Sequence, residues 1–426
     1  MKTLIDLIKK DMKPAFGVTE PGAIALAVST ARKYSNEDIL EIKVTLNSGI
    51  YKNGFTCGIP NSNQVGNSFA AALGAVAGNP EKGLESLIDV KEKDNNLALK
   101  LISENKIKII LGEITSEIYI EVIFTTKNDI IKVLIQGSHE NIVEISKNNK
   151  IILKKETKNY SKNNKENFIN IHDYSLKEII NYIDNINIKE LFFIEDAYKV
   201  NLELFNEGFE NKRTTFSRNL FKLNYNKIIS EDVNKTANLL CGGAIEARVI
   251  GLNKAAMSIT GSGAHGIIAT MPLYAEHLVN KASKEKLLRG TILSYLICTY
   301  IKEYSGKLSA FCGCAIAAGT GMACAITYMR NGSYNEIVGT LNNMASSITG
   351  MICDGGNQGC TMKGIVATDA AFRSVELAMN NSFIYNIHGI CDDKPENTMK
   401  NMGLIASPGM IETEKTIVEI FNNKNK

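Results

Sequence analysis

Apolar residues at Leu4, Ile5, Leu7 and Ile8, with Asp6 among them and Lys9 and Lys10 behind, follow a helical period. That spacing predicts an amphipathic helix within residues 1–13, not the unbroken apolar run of a secretory signal. Residues 21–34 are Ala-rich and lack Gly or Pro after Gly22, so a second helix is expected. Residues 39–46 alternate apolar and polar, the mark of a half-buried strand. Residues 69–76 read as helix, closed by Gly78-Asn79-Pro80. The densest β signal spans 107–152, in four segments rich in isoleucine and valine that begin at Ile107, Ile118, Ile130 and Ile142. Turn residues such as Lys127-Asn128-Asp129 separate them, which predicts an antiparallel meander. Residues 156–167 are polar, rich in Lys and Asn and without period, so they read as a linker. From Ser175 helical patterns continue to the end, with no fixed-period repeat. The fold class is therefore α+β. A mainly helical domain of residues 1–35 and 165–426 carries an inserted α+β domain, residues 36–160, containing an antiparallel sheet.

Composition narrows the function classes. A chain of 426 residues has room for two or three domains. A net charge of +3 gives no basic stripe of the kind nucleic acid requires. Lys and Asn gather in 147–165 and in the tail, where they solvate the surface. Residues 309–328 run twenty positions without a charge, long enough to span a bilayer. They are rich in Ala, Gly and Cys, and the chain has no Trp for an interfacial belt. A buried helix pair in a soluble domain is the reading. Without a signal, the nine cysteines belong to a reducing cytosol, where metal binding or catalysis outranks disulfides.

The chemistry concentrates in Cys353-Asp-Gly-Gly-Asn-Gln-Gly-Cys360, two thiols on a glycine-rich loop. Glycine permits tight turns and close approach to a ligand. Cys312-Gly-Cys314 supplies further thiols upstream. Soft thiolates favour iron–sulfur, zinc or Cu(I), and the paired spacings of a zinc site are missing. Three thiols, from Cys312 or Cys314 together with Cys353 and Cys360, suit a four-iron cluster with one iron open to substrate. Cys298, Cys324 and Cys391 read as buried small hydrophobes. In Thr260-Gly-Ser-Gly-Ala-His265-Gly the backbone amides can bind a carboxylate, and His265 can move a proton. In Gly17-Val-Thr-Glu20-Pro21, Thr19 suits an N-cap and Pro21 the first helical turn. Thr19 and Glu20 are also polar groups at a helix start. Gly58-Ile-Pro-Asn-Ser-Asn63 is a turn cluster with substrate-binding potential, here assigned to Asn61. Glu246 and Arg248 are two residues apart, a spacing that does not bring them together on a helix. No P-loop or nucleophile elbow is present.

In order along the chain, these blocks resemble the L-cysteine desulfidase family, relatives of the iron–sulfur L-serine dehydratases. Gly17-Val-Thr-Glu-Pro, Gly58-Ile-Pro, Ala70-Ala-Ala-Leu-Gly, His139-Glu-Asn-Ile-Val, Glu246-Ala-Arg with Gly261-Ser-Gly-Ala-His-Gly-Ile, and the two cysteine blocks carry the resemblance. It implies a [4Fe-4S] cluster on Cys312, Cys353 and Cys360, with Cys314 in reserve for the first. It implies β-elimination from L-cysteine to hydrogen sulfide, ammonia and pyruvate without pyridoxal phosphate. Two positions depart from the family. Val18 stands where a cysteine that is a candidate acid/base is usual, leaving His265 and Glu20 as the catalytic candidates, and Ala264 stands where Asn is expected. Substrate binding falls to Thr19, Ser262, Gly263 and Asn61.

The expected partner is a small amino acid, with no nucleic acid and no membrane, in a cytoplasmic protein whose default assembly is a homodimer. Two alternatives stand beside this reading. One is an iron–sulfur L-serine or L-threonine dehydratase; the other is a non-catalytic cluster- or sulfur-carrying protein that lost its base at Val18.

Overall fold

The computed structural model describes residues 3–155, 169–306 and 308–424; the stretch read as a linker lies outside them. Two sheets organise the chain. Strands β1 (Lys13–Phe16) and β8 (Ala255–Ser258) form an antiparallel pair, with Phe16 opposite Ala255. The larger sheet contains β2 (Glu41–Leu46), β3 (Ile107–Leu111), β4 (Tyr119–Thr125), β5 (Ile130–Gln136), β6 (Ile142–Lys147) and β7 (Lys150–Lys154). Its order is β3-β2-β4-β5-β6-β7. The apolar density that predicts these strands puts Ile120, Val122, Phe124, Ile131, Val133 and Ile135 at alternate positions, buried on one face.

The predicted meander holds from β4 onward. The segment at Ile107 does not join it directly, because β2 inserts between β3 and β4 and pairs with β3 in parallel. A parallel pair needs a crossover. The chain supplies one through α3 (Ser48–Gly54), α4 (Asn67–Ala77) and α5 (Glu92–Ser103). Upstream of it, α1 (Leu4–Asp11) buries Leu4, Ile5 and Ile8, and Thr3 and Asp6 form its capping box. Helix α2 (Thr19–Arg32) and α4 cover the sheet with Ala23, Ile24, Val28 and Ala70–Leu73. Gly74 lets them cross closely, since a Cβ there would lie 2.8 Å from the Ala25 carbonyl.

The second core is helical. It is built from α6 (Leu176–Asn185), α7 (Glu195–Glu210), α8 (Phe216–Leu223), α9 (Val233–Val249), α10 (Gly263–Val279), α11 (Lys284–Ser305), α12 (Gly319–Met329), α13 (Tyr334–Ile348), α14 (Gly359–Ala378) and α15 (Pro395–Ala406). The uncharged stretch 309–328 enters as a short extended segment, passes through one wide π-turn at Cys314–Ala318, and continues as the single buried helix α12 rather than a helix pair. No helix among the described residues is long and apolar enough to cross a membrane. The last helix, α16 (Ile411–Lys424), returns to the sheet side. Val418 joins the sheet's core, Phe421 stacks on Phe55 at 4.6 Å, and Tyr51 donates to Asn422 at 3.0 Å.

Pairing β1 with β8 sets two helix starts side by side. Strand β1 runs into the N-terminus of α2, and β8 runs through the glycine loop into the N-terminus of α10.

Candidate functional site

The cysteine blocks meet across a short antiparallel bridge, Phe311 opposite Ile352. The Cys312 amide donates to the Met351 carbonyl at 3.0 Å, and the Cys353 amide donates to the Ala310 carbonyl at 2.5 Å. Cys360 sits in the first turn of α14, its amide bonded to Asn357 at 2.9 Å. The loop between them rests on the end of α3, where the Gly356 amide donates to the Asn53 carbonyl at 3.0 Å. Gly355, at φ +109°, could carry no side chain, because a Cβ would lie 2.6 Å from the Lys52 carbonyl. Cys312 is buried, while Cys314, Cys353 and Cys360 are half-buried. Their thiols perturb one another. Burial, then Cys353 and Cys312, push Cys360 up to about 11. A hydrogen bond with Cys314, then burial, raise Cys312 well above the usual thiol range.

Three lysines surround these thiols. Lys52 donates to the Cys353 carbonyl at 2.8 Å; burial opposes its charge, yet the Cys353 thiol and the Glu414 carboxylate hold it above the ordinary lysine value. Lys363 pairs with Asp354, and the thiols of Cys312, Cys353 and Cys360 favour its charged form. Lys302 is pushed down by burial, against the pull of Cys298, Cys314, Cys353 and Cys312. Among the described residues no three His, Cys, Asp or Glu side chains close tightly enough to hold a single metal ion. A cubane cluster holds its cysteine sulfurs farther apart than one ion does. Convergent soft donors amid positive charge fit an iron–sulfur cluster, whose binding deprotonates its thiols. Cys298, Cys324 and Cys391 are buried, with Cys298 and Cys324 inside the helical core.

Beside the thiols lie the polar groups of α2. Val18, not Thr19, is the N-cap, and it offers no side-chain hydrogen bond. Thr19 instead donates to Glu20 at 3.1 Å. Glu20 is buried, accepts the Asn53 amide at 2.8 Å and lies 3.9 Å from His139, which hangs from the turn between β5 and β6. Burial pushes its carboxyl up, but His139, the Asn53 amide and the Arg248 guanidinium outweigh that and leave it below the ordinary value. The Val18 methyls face the cysteine loop, since a Cβ on Gly356 would lie 2.9 Å from Val18 Cγ1.

From the other side comes the glycine loop. Thr260 holds φ +52°, an unfavourable conformation for a β-branched residue. Its hydroxyl donates to the Ile259 carbonyl at 2.7 Å and is in contact with His265 Nδ1. With the hydroxyl hydrogen so used, Nδ1 carries the imidazole proton. This assigns the bare lone pair to Nε2. Nε2 faces the turn between Cys312 and Cys314, where a Cβ on Gly313 would come within 2.9 Å. Burial, then the cations Lys302 and Arg248, lower His265 to about 3 and keep the ring neutral. Ser262 lies 4.0 Å from the Cys314 sulfur, and Gly263 opens α10 against the side chain of Arg248.

The structure gathers Glu20, Thr19, Ser262, Gly263, His265 and the cysteines around one region. It does not gather the Asn61 side chain, whose amide is spent on the Leu87 and Ile88 carbonyls at 3.1 and 2.8 Å. Sequence reasoning missed Lys52, Asn53 and Lys302, and gave Arg248, Thr260 and His139 no role of their own. Arg248 carried a visible signal, one of two charges, with Glu246, in the otherwise uncharged second half of α9. Its neighbour Glu246 turns elsewhere, taking the amides of Thr215, Phe216 and Ser217 at the start of α8.

Residues 81–419 match the family described as serine dehydratase alpha chain. A UPF0597 protein of Clostridium botulinum strain Okra is 42% identical over 99% of both chains. One of Clostridium tetani is 34% identical over 98% of this chain and 97% of its own, and one of Clostridioides difficile strain 630 is 33% identical over 99% and 100%.

Proposed function

The chain belongs to the serine dehydratase alpha-chain family, and on that premise we propose that it is an iron–sulfur-dependent lyase that eliminates the β-substituent of a small α-amino acid, L-cysteine foremost. One observation carries the reading: a strand bridge joins the Cys312 and Cys353 blocks, the thiols of Cys312, Cys353 and Cys360 perturb one another, and the bare Nε2 of His265 faces Gly313 beside Cys312. These three cysteines are the ligands of a [4Fe-4S] cluster, with Cys314 adjacent to the first. When bound, the cluster supplies an open iron that acts as a Lewis acid on the leaving sulfur.

The chain's own groups do the rest. The glycine loop binds the substrate carboxylate, and Thr260 fixes the tautomer that leaves His265 Nε2 free to accept the Cα proton. The electron pair released at Cα forms the Cα–Cβ double bond as the C–S bond breaks and sulfide departs. The 2-aminoacrylate product tautomerises to an imine, which water hydrolyses to pyruvate and ammonia. A base as weak as this imidazole makes placement decisive, because Cα–H acidity is poor without an electron sink.

L-Serine is the second reading, favoured by the family match itself; water then replaces sulfide as the product of the leaving group. Anaerobic purification followed by iron and sulfide analysis, with L-cysteine and L-serine assayed side by side, tests both. A brown, iron-bearing protein releasing sulfide faster than it dehydrates serine supports the first. A colourless protein without iron sinks the cluster. An iron-bearing protein inert to both amino acids supports a carrier role, the reading that Val18 favours.

A further inference from the structure

Among the described residues, buried charges such as Glu276 and Glu246 are matched, and Arg248 is not. Arg330 grips Glu276 with two bonds of 2.9 and 2.8 Å. Glu246 takes three backbone amides and the Ser217 hydroxyl. Arg248 is only 4% exposed, its Nε is buried without a hydrogen-bond partner, and its guanidinium forms no ion pair among the described residues. Burying a charge without a partner costs several kcal/mol. A fold that satisfies its other buried charges tolerates such a cost where an anion is meant to arrive.

The direction of the side chain names the anion's position. A Cβ on Gly263 would lie 2.8 Å from Arg248 Nε, so the guanidinium stem lies against the first residue of α10. Ser262, the N-cap, makes no side-chain bond to the first-turn amides. An open helix N-terminus beside an arginine is a carboxylate receptor, joining amide donors and dipole to a planar fork of N–H groups. Glu20 and His265 both feel the Arg248 charge, so a carboxylate lies close to this cation. The arrangement sets one positive and one negative group against a single small ligand.

We propose that Arg248, with the first-turn amides of α10, binds the α-carboxylate of the substrate while Glu20 receives its α-ammonium. The site therefore takes free zwitterionic amino acids and refuses those whose carboxyl is an amide or ester. This rests on the lyase reading for the identity of the substrate, but it is tested by binding alone.

The experiment is calorimetric titration of the anaerobically purified protein with L-alanine, which has both charges and no leaving group, and with L-alaninamide. L-Alanine is expected to saturate the site and the amide to bind about 10–100-fold more weakly, the worth of a charge-assisted hydrogen-bonded pair. Arg248→Met should weaken L-alanine by a similar factor and Arg248→Lys by less. KM for a turned-over amino acid should rise far more than kcat falls. Equal binding of L-alanine and its amide, or no L-alanine binding at all, overturns the inference even if both variants fail to fold. Arg248-dependent binding without turnover of any amino acid sinks the lyase reading and leaves this one standing. Turnover of L-cysteine and L-cysteinamide with equal KM does the reverse.

Discussion

Replacing Lys52 with methionine tests how the cysteine loop is held. The Lys52 side chain is fully buried, and its ammonium donates to the Cys353 carbonyl at 2.8 Å and the Ser309 carbonyl at 3.3 Å. It also lies 3.3 Å from Glu414 Oε2, and neither oxygen of Glu414 has any other hydrogen-bond donor among the described residues. Removing the ammonium strands that carboxylate, a loss of about 3–5 kcal/mol for one broken buried pair. Two carbonyls lose a charged donor as well. Against a total stability of about 5–15 kcal/mol the change is large. Glu414→Leu should cost less, about 2–3 kcal/mol, because the ammonium keeps both carbonyls. The double variant, Lys52→Met with Glu414→Leu, should return to within about 1–2 kcal/mol of the natural chain, since removing both members of a buried pair is often neutral. Urea midpoints of the iron-free protein by circular dichroism measure all four corners, and those values imply a coupling energy of about 3–7 kcal/mol. Iron per chain is a second readout. It should fall in both Lys52 variants, because neither anchors the Cys353 carbonyl. A Lys52→Met protein within about 1 kcal/mol of the natural one, or a double variant no more stable than that single, would refute the reasoning.

Three further outcomes follow from the same geometry. Glu246→Ala uncaps α8 and removes a buried carboxylate holding three backbone amides, so it should cost about 3–5 kcal/mol in urea unfolding while an exposed control such as Glu412→Ala stays within about 0.5. Thr260→Val removes the acceptor of His265 Nδ1–H; kcat should drop about 10–100-fold with iron content intact, and an unchanged kcat removes His265 from the proton transfer. Val18→Cys places a thiol against Gly356 in the cysteine loop; if position 18 is where an acid/base group belongs, kcat should rise by about 10²-fold, and no rise means that the native site does not lack one.

How much of this was legible in the sequence depends on whether the cause was local. Strands β4 to β6 were, because isoleucine and valine crowd them and turn residues such as Lys127-Asn128-Asp129 separate them. The place of β3 was not, since nothing in Ile107–Leu111 says that its partner is β2, reached back across three helices. The helix over residues 21–34 was evident from its alanines, but not that those alanines would cover the sheet. Thr19 looked like a cap because Thr caps helices, yet the helix begins one residue earlier and its hydroxyl serves Glu20. The cysteines stood out because glycine surrounds them. Arg248 was visible as a charge, but the lack of a partner is a property of three dimensions.

The counter-charge beneath Cys353 has a consequence for biosynthesis. Glu414 lies on the final helix, which also closes over Phe55 and Tyr51. Until residue 414 has been made and packed, the lysine under the thiols has no carboxylate, although every thiol of the site has already been synthesised. The cysteine loop thus reaches its finished electrostatics only once α16 has docked, and a cofactor delivered earlier would meet a half-built cradle.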